Sequence, residues 1–96
     1  MMADMDDVAE RTVLIQNELG LHVRAAGEFV KLASKFPCEI MVAKGTTEIN
    51  GKSILALMTL IAPKGTTITI KARGDRSGDA VAALAALVDD KFKEVR

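Results

Sequence analysis

The sequence has no tryptophan and no tyrosine, one cysteine, one histidine and no excess charge of either sign. Each shortage excludes something. Three phenylalanines are the only aromatic residues, so the stacking platforms that hold single-stranded nucleic acid have little to be built from. Thirteen basic residues balance thirteen acidic ones, whereas a protein that binds nucleic acid through its phosphates is strongly basic. The single cysteine, Cys38, closes no disulfide within the chain, and one cysteine with one histidine makes a poor metal set. No metal and no cofactor are therefore expected. No apolar run approaches the roughly 20 residues of a membrane-spanning helix, so no insertion into a membrane is expected. The stretch from Met1 to Asp7 is acidic and lacks the basic and apolar regions of a secretory signal. A cytoplasmic location is expected.

What is present is an aliphatic core. Hydrophobic residues make up 49% of 96 residues, enough for one packed domain and too many for a disordered chain. Residues 1–8 read as a flexible acidic tail and residues 9–96 as the domain. From Glu10 to Gln16, Val13 and Ile15 alternate with polar residues, a strand pattern with Leu14 as the exception. From Val23, the spacing of Val23, Ala26, Phe29, Val30 and Ala33 predicts a helix with that face inward, stopped by Pro37. Cys38 to Val42 and Thr46 to Ile49 read as a hairpin around Lys44-Gly45. Cys38, in step with Ile40 and Val42, reads as a small buried hydrophobe. Asn50-Gly51 is a turn, and Ser53 opens a helical segment through Ile61. Thr66 to Arg73 alternates cleanly as a half-buried strand, and Asp79 to Phe92 is an Ala- and Leu-rich helix with Ala80, Leu84, Leu87 and Val88 on one stripe. The order β-α-β-β-α-β-α gives an α+β domain with helices on one face of an antiparallel sheet, consistent with a split-βαβ sandwich.

Chemistry concentrates at His22, between Gly20-Leu21 and the start of the first helix. Unpaired amides and the positive end of the helix dipole face a side chain there. Arg24 adds a guanidinium able to bind phosphate oxygens in bidentate fashion, and a neutral imidazole is a nucleophile that forms covalent intermediates. A capping histidine beside a solvated arginine would leave the same trace. Ser53 has two compatible readings, an N-cap and a phosphorylation site. On a helical period, if Ile54, Leu57 and Ile61 face inward, Leu55 is left near the surface with Met58 at the boundary. That suggests either a protein-binding patch or ordinary scattered surface apolarity.

Gly20-Leu21-His22-Val23-Arg24-Ala25-Ala26 resembles the active-site signature of the HPr family, the histidine-containing phosphocarriers of the bacterial phosphoenolpyruvate:sugar phosphotransferase system. Asn50-Gly51-Lys52-Ser53-Ile54-Leu55 resembles the regulatory-serine motif of the same family, and the 31 residues from His22 to Ser53 match its spacing. Lys64-Gly65 before a Thr/Ile strand and the final Ala-rich helix also fit, so the likeness covers about residues 9 to 93. It implies an open-faced β-sandwich, a four-stranded antiparallel sheet under three helices. It also implies that His22 takes a phosphoryl group on Nδ1 from phosphorylated Enzyme I and passes it to an EIIA domain, with Arg24 holding the phosphoryl oxygens. Ser53 would be the target of an HPr kinase/phosphorylase in lineages that have one. Partners would dock over Leu19, Val23, Gly27, Lys31, Ile54, Leu55 and Met58, and the protein would be a monomer.

The signature departs from the family pattern twice. Val23 stands where the family usually has alanine, and Ala25 where it usually has proline. Proline at a helix start fixes φ and lacks an N–H, so Ala25 restores a donor and relaxes the turn. Val23 adds bulk where partners approach. Both departures leave the nucleophile and the arginine in place, and both motivate an alternative: a nitrogen-branch or regulatory paralogue acting mainly by binding partners.

Overall fold

A computed structural model describes residues 7–94. The sheet is built from β1 (Val8–Leu14), β2 (Glu39–Lys44), β3 (Thr47–Asn50) and β4 (Thr67–Arg73), in the spatial order β1-β4-β2-β3 with every pairing antiparallel. The helices are α1 (Val23–Ala33), α2 (Ile54–Met58) and α3 (Ser77–Asp89), followed by a 3-10 turn at Lys91–Lys93. Six residues of the expected acidic tail, Met1 to Asp6, lie outside the described residues, and β1 already includes Val8.

Alternation in the strands makes the two layers. On β4, Ile68, Ile70 and Ala72 are buried while their neighbours face outward. Register lines up Val13 of β1 with Ile68, and Val42 and Ile40 of β2 with Ile70 and Ala72. The result is one apolar face, covered by Phe29, Leu57, Leu84 and Val88 from the helices. Leu14, the exception in the first strand, points to the other face and is exposed. Cys38 is buried in the core beside this layer, as expected. The buried stripe of α3 contains all four expected residues, Ala80, Leu84, Leu87 and Val88. The helix starts at Ser77, two residues before the expected Asp79, and ends at Asp89, three residues before the expected Phe92. Phe92 is buried as well, from the turn beyond it.

Inward assignments in two helices are corrected. Val23 is 63% exposed, because α1 buries Ala25, Ala26, Phe29 and Ala33 and the first residue of the helix lies off that stripe; Val30 is only half-buried. In α2 the helix stops at Met58, three residues short of Ile61. Leu57 and then Leu60 turn inward, and Ile54 and Ile61 stay exposed. Ile61 sits at φ 51°, so the chain has left the helix before it. Lys44 marks that stop. Its Nζ donates to the carbonyls of Leu60 (2.9 Å) and Ile61 (2.7 Å), the carbonyls that follow the helix end. Helix α1 ends at Ala33, ahead of Pro37, and Lys52 Nζ donates to the Phe36 carbonyl just beyond it (2.7 Å).

Candidate active site

The loop from β1 to α1 is folded by Asn17. This residue is buried, and its Nδ2 donates to the Gly20 carbonyl at 2.7 Å. Gly20 takes φ +66°, and a Cβ there would lie 2.7 Å from the Ala62 carbonyl oxygen and from Pro63 Cα. Only glycine combines that φ with that approach. The next amide, Leu21 N–H, donates to the same Ala62 carbonyl at 2.9 Å and closes the loop onto the chain that follows α2. His22 is thereby set at the head of α1.

His22 is the N-cap of α1. Its backbone is extended (φ −83°, ψ 178°), its carbonyl accepts the first helical bond from Ala26 N–H (2.8 Å), and its Nδ1 accepts from Arg24 N–H at 3.2 Å. A ring nitrogen that accepts a hydrogen bond carries a lone pair rather than a proton, so the neutral ring holds its proton on Nε2. The unprotonated nitrogen therefore points along the helix start. Helix geometry leaves the amides of Val23 and Ala25 there without a carbonyl one turn back. The Arg24 side chain is exposed and lines the same cavity of about 510 Å³ as His22, together with Leu19, Ala25, Glu28, Phe92, Lys93 and Glu94. A nucleophilic nitrogen, free amides, the positive helix end and a guanidinium meet at one opening. That combination can accept and hold a tetrahedral dianion.

Two residues here were not read from the sequence as part of a site. Glu94 reaches His22 from the far end of the chain: its Oε1 accepts from Asn17 Nδ2 at 2.8 Å and lies 3.5 Å from His22 Nε2. Asn17 could be suspected only as a turn former after a strand. Glu94 had no local signal, since 77 residues separate it from Asn17.

Ser53, the other singled-out position, is the N-cap of α2. Its Oγ accepts from Ala56 N–H at 3.1 Å. Of the expected partner surface, Leu19, Val23, Lys31, Ile54, Leu55 and Met58 are exposed, Leu55 the most of the apolar ones at 81%, and Gly27 is half-buried. Among the described residues no group of three or more potential metal ligands comes together, and no helix is long and apolar enough to cross a membrane.

Residues 9–90 match the sequence profile of the family PTS-HPr, described as "PTS HPr component phosphorylation site". The phosphocarrier protein HPr of Pseudomonas putida is 42% identical over 85 residues, which cover 88% of this chain and 94% of the relative. The phosphocarrier protein NPr of Shewanella violacea is 44% identical over 85 residues, covering 88% and 93%. Among solved structures, HPr from Thermoanaerobacter tengcongensis is similar with a TM-score of 0.87 at 40% identity, covering 92% of this chain and 99% of the other. The same protein solved as a dimer gives a TM-score of 0.72.

Proposed function

The chain belongs to the HPr family of phosphocarriers of the phosphotransferase system, and from that premise we propose that His22 accepts a phosphoryl group from phosphorylated Enzyme I and passes it to an EIIA domain, in the cytoplasm and in the service of sugar uptake. One observation carries the reading: His22 Nδ1 accepts a bond from Arg24 N–H, so its lone pair is free of a proton and lies at the helix start. That pair attacks the phosphorus of the donor. The N–P bond to His22 forms as the bond to the donor breaks, and the electron pair of the broken bond leaves with the donor. The Arg24 amide loses its ring acceptor and gains a phosphoryl oxygen. The Val23 and Ala25 amides and the Arg24 guanidinium supply further donors where the negative charge arrives. On the way out the same steps run in reverse onto the acceptor group of the EIIA domain.

The test is phosphorylation by Enzyme I and phosphoenolpyruvate, followed by intact mass. A single adduct, acid-labile and alkali-stable, is expected on the wild type and absent from His22→Ala. No adduct on the well-folded wild type with a cognate Enzyme I would overturn the reading.

Regulation at Ser53 is proposed on its capping geometry. A phosphate on that oxygen sits where the first-turn amides are, and it adds charge beside exposed Ile54 and Leu55. Ser53→Asp should weaken Enzyme I docking, and unchanged transfer kinetics would remove this proposal. A kinase of the HPr kinase/phosphorylase type would be the modifying partner. The docking surface is proposed over Leu19, Val23, Gly27, Lys31, Ile54, Leu55 and Met58, with the carrier acting as a monomer. Light scattering that finds a stable dimer would revise the last point.

The likeness to NPr at 44% identity supports a second reading, a nitrogen-branch or regulatory carrier. Competition between sugar-branch and nitrogen-branch Enzyme I for the same sample separates the two by the faster donor.

A further inference from the structure

The ring of His22 has two nitrogens, and the acceptor chemistry uses one. Nδ1 faces the helix start. Nε2 lies on the other side, fully buried and with no hydrogen bond, and Glu94 Oε1 stands 3.5 Å away. The carboxylate is placed there at a conformational cost. Lys91, Phe92 and Lys93 all take positive φ (55°, 56° and 60°), a left-handed run that L-residues avoid. Buried Phe92 anchors the run, and buried Asn17 holds Glu94 by the 2.8 Å bond to Oε1. Side-chain exposure is 26% for His22 and 13% for Glu94, so solvent screens the pair only in part.

We infer that Glu94 is a positioning residue for His22 that keeps a phosphoryl group on Nδ1 transferable, by stabilising the proton on Nε2. The inference rests on the phosphoryl-acceptor reading above and names the control on that same site. With Nδ1 phosphorylated and Nε2 protonated, the ring is a cation. When the N–P bond breaks, the electron pair returns to Nδ1, the proton stays on Nε2, and the leaving group is neutral imidazole. Without that proton the leaving group would be imidazolate, a far poorer one. A carboxylate facing Nε2 favours the protonated form. It does so from the side away from the phosphoryl group, so the two negative charges share the ring without sharing a nitrogen. The other charged groups lining the cavity are Arg24 and Glu28 from α1 and Lys93 from the terminal turn. The two cations oppose the proton, and Glu28 favours it from a greater distance along the helix.

The experiment uses the full chain, phosphorylated by Enzyme I and phosphoenolpyruvate, with Glu94→Gln and Glu28→Gln alongside. A glutamine carbonyl oxygen can still accept from Asn17, so Glu94→Gln removes charge while leaving the turn its bond. NMR reads the titration of the phosphohistidine ring, and the decay of the adduct reads its lability. Glu94→Gln should lower the titration midpoint by about 0.5 to 1 unit. Above the midpoint, adduct decay should slow by the same factor, about three- to tenfold. Glu28→Gln removes an equal charge from the same cavity and should move both readouts much less. Equal effects of the two variants would mean a diffuse field and overturn the inference, as would an unmoved midpoint in Glu94→Gln. If Glu94→Gln perturbs the amide spectrum, Glu94→Ala takes its place with the same expected direction. Absence of any adduct on the wild type would instead bring down the acceptor reading on which the inference stands. An adduct with an unmoved midpoint brings down the inference alone.

Discussion

Helices α1 and α2 begin alike and are built for different ends. Each has a glycine two residues before its cap, Gly20 and Gly51. Each cap is in extended backbone, and its side chain accepts from an amide of the first turn: His22 Nδ1 from Arg24 N–H at 3.2 Å, Ser53 Oγ from Ala56 N–H at 3.1 Å. The acceptors differ in one respect that decides their chemistry. A serine oxygen keeps acceptor capacity after it is phosphorylated. An imidazole nitrogen has one lone pair, and the pair that caps the helix is the pair that would attack phosphorus. His22 can cap or carry, in turn. Under the proposed regulation, Ser53 would cap and carry together. On that reading helix α1 should tolerate the loss, since eleven residues and four buried side chains hold it; α2 has five residues and one, Leu57.

The largest expected effects would break this comparison outright. His22→Ala should abolish phosphoryl acceptance while costing little stability, about 0.5–1 kcal/mol by urea denaturation. A large loss of stability would mean that α1 depends on its cap as α2 does. Next come the two glycines. Gly20→Ala places a Cβ 2.7 Å from backbone atoms of Ala62 and Pro63 at a φ of +66°, and should destabilise by about 2–3 kcal/mol. Gly51→Ala meets first the Ile40 Cγ2 methyl at 2.7 Å, and the Ile40 carbonyl only at 3.2 Å, with no strained φ. It should cost less than Gly20→Ala, and the reverse order would mean that the His22 loop yields more readily than the β3–α2 turn.

A smaller effect sharpens the same contrast. Ser53→Ala should cost about 1 kcal/mol, as much as His22→Ala or more, while Enzyme I still phosphorylates His22. Stability and phosphoryl transfer would then rank the two caps in opposite orders. A Ser53→Ala variant that unfolds no more readily than wild type, yet transfers poorly, would show that the serine serves docking rather than the helix.

The sequence pattern discloses these regions unevenly, for physical reasons. The β4 alternation of Ile68, Ile70 and Ala72 is legible because each residue sits on one face of a strand whose neighbours share its register. The stripe of α3 is legible because thirteen residues sample several turns. Helix α2 misleads: a helical period read through Ile61 assumes turns that the chain does not make, since Lys44 binds the carbonyls of Leu60 and Ile61 from 16 and 17 residues away. His22, Arg24 and Ser53 stand out because capping is local and their spacing carries the family likeness. Asn17 and Glu94 do not, because the bond between them depends on a left-handed turn that no residue type in Lys91-Phe92-Lys93 announces.

The smallest effect belongs to the outer face of the sheet, far in character from either cap. There Lys71 on β4 reaches across β2 to Glu48 on β3, Nζ to Oε2 at 2.8 Å, and both side chains are exposed. The hydrogen bond to Glu48 raises the Lys71 pKa above the ordinary lysine value of 10.5, with the Glu48 charge next and Glu10 adding to it. A lysine whose pKa is raised on folding contributes stability that is fully present below the unfolded value and is lost as pH rises through the folded one. Lys71→Met should therefore lower the urea midpoint slightly at neutral pH and low salt. The difference should shrink as salt is added, and again as pH rises above 10.5. A difference that stays constant through both changes would locate the contribution of Lys71 in its methylene stem packed on the sheet, not in its charge. The strands would then be joined on that face by apolar contact, as they are on the face covered by the helices.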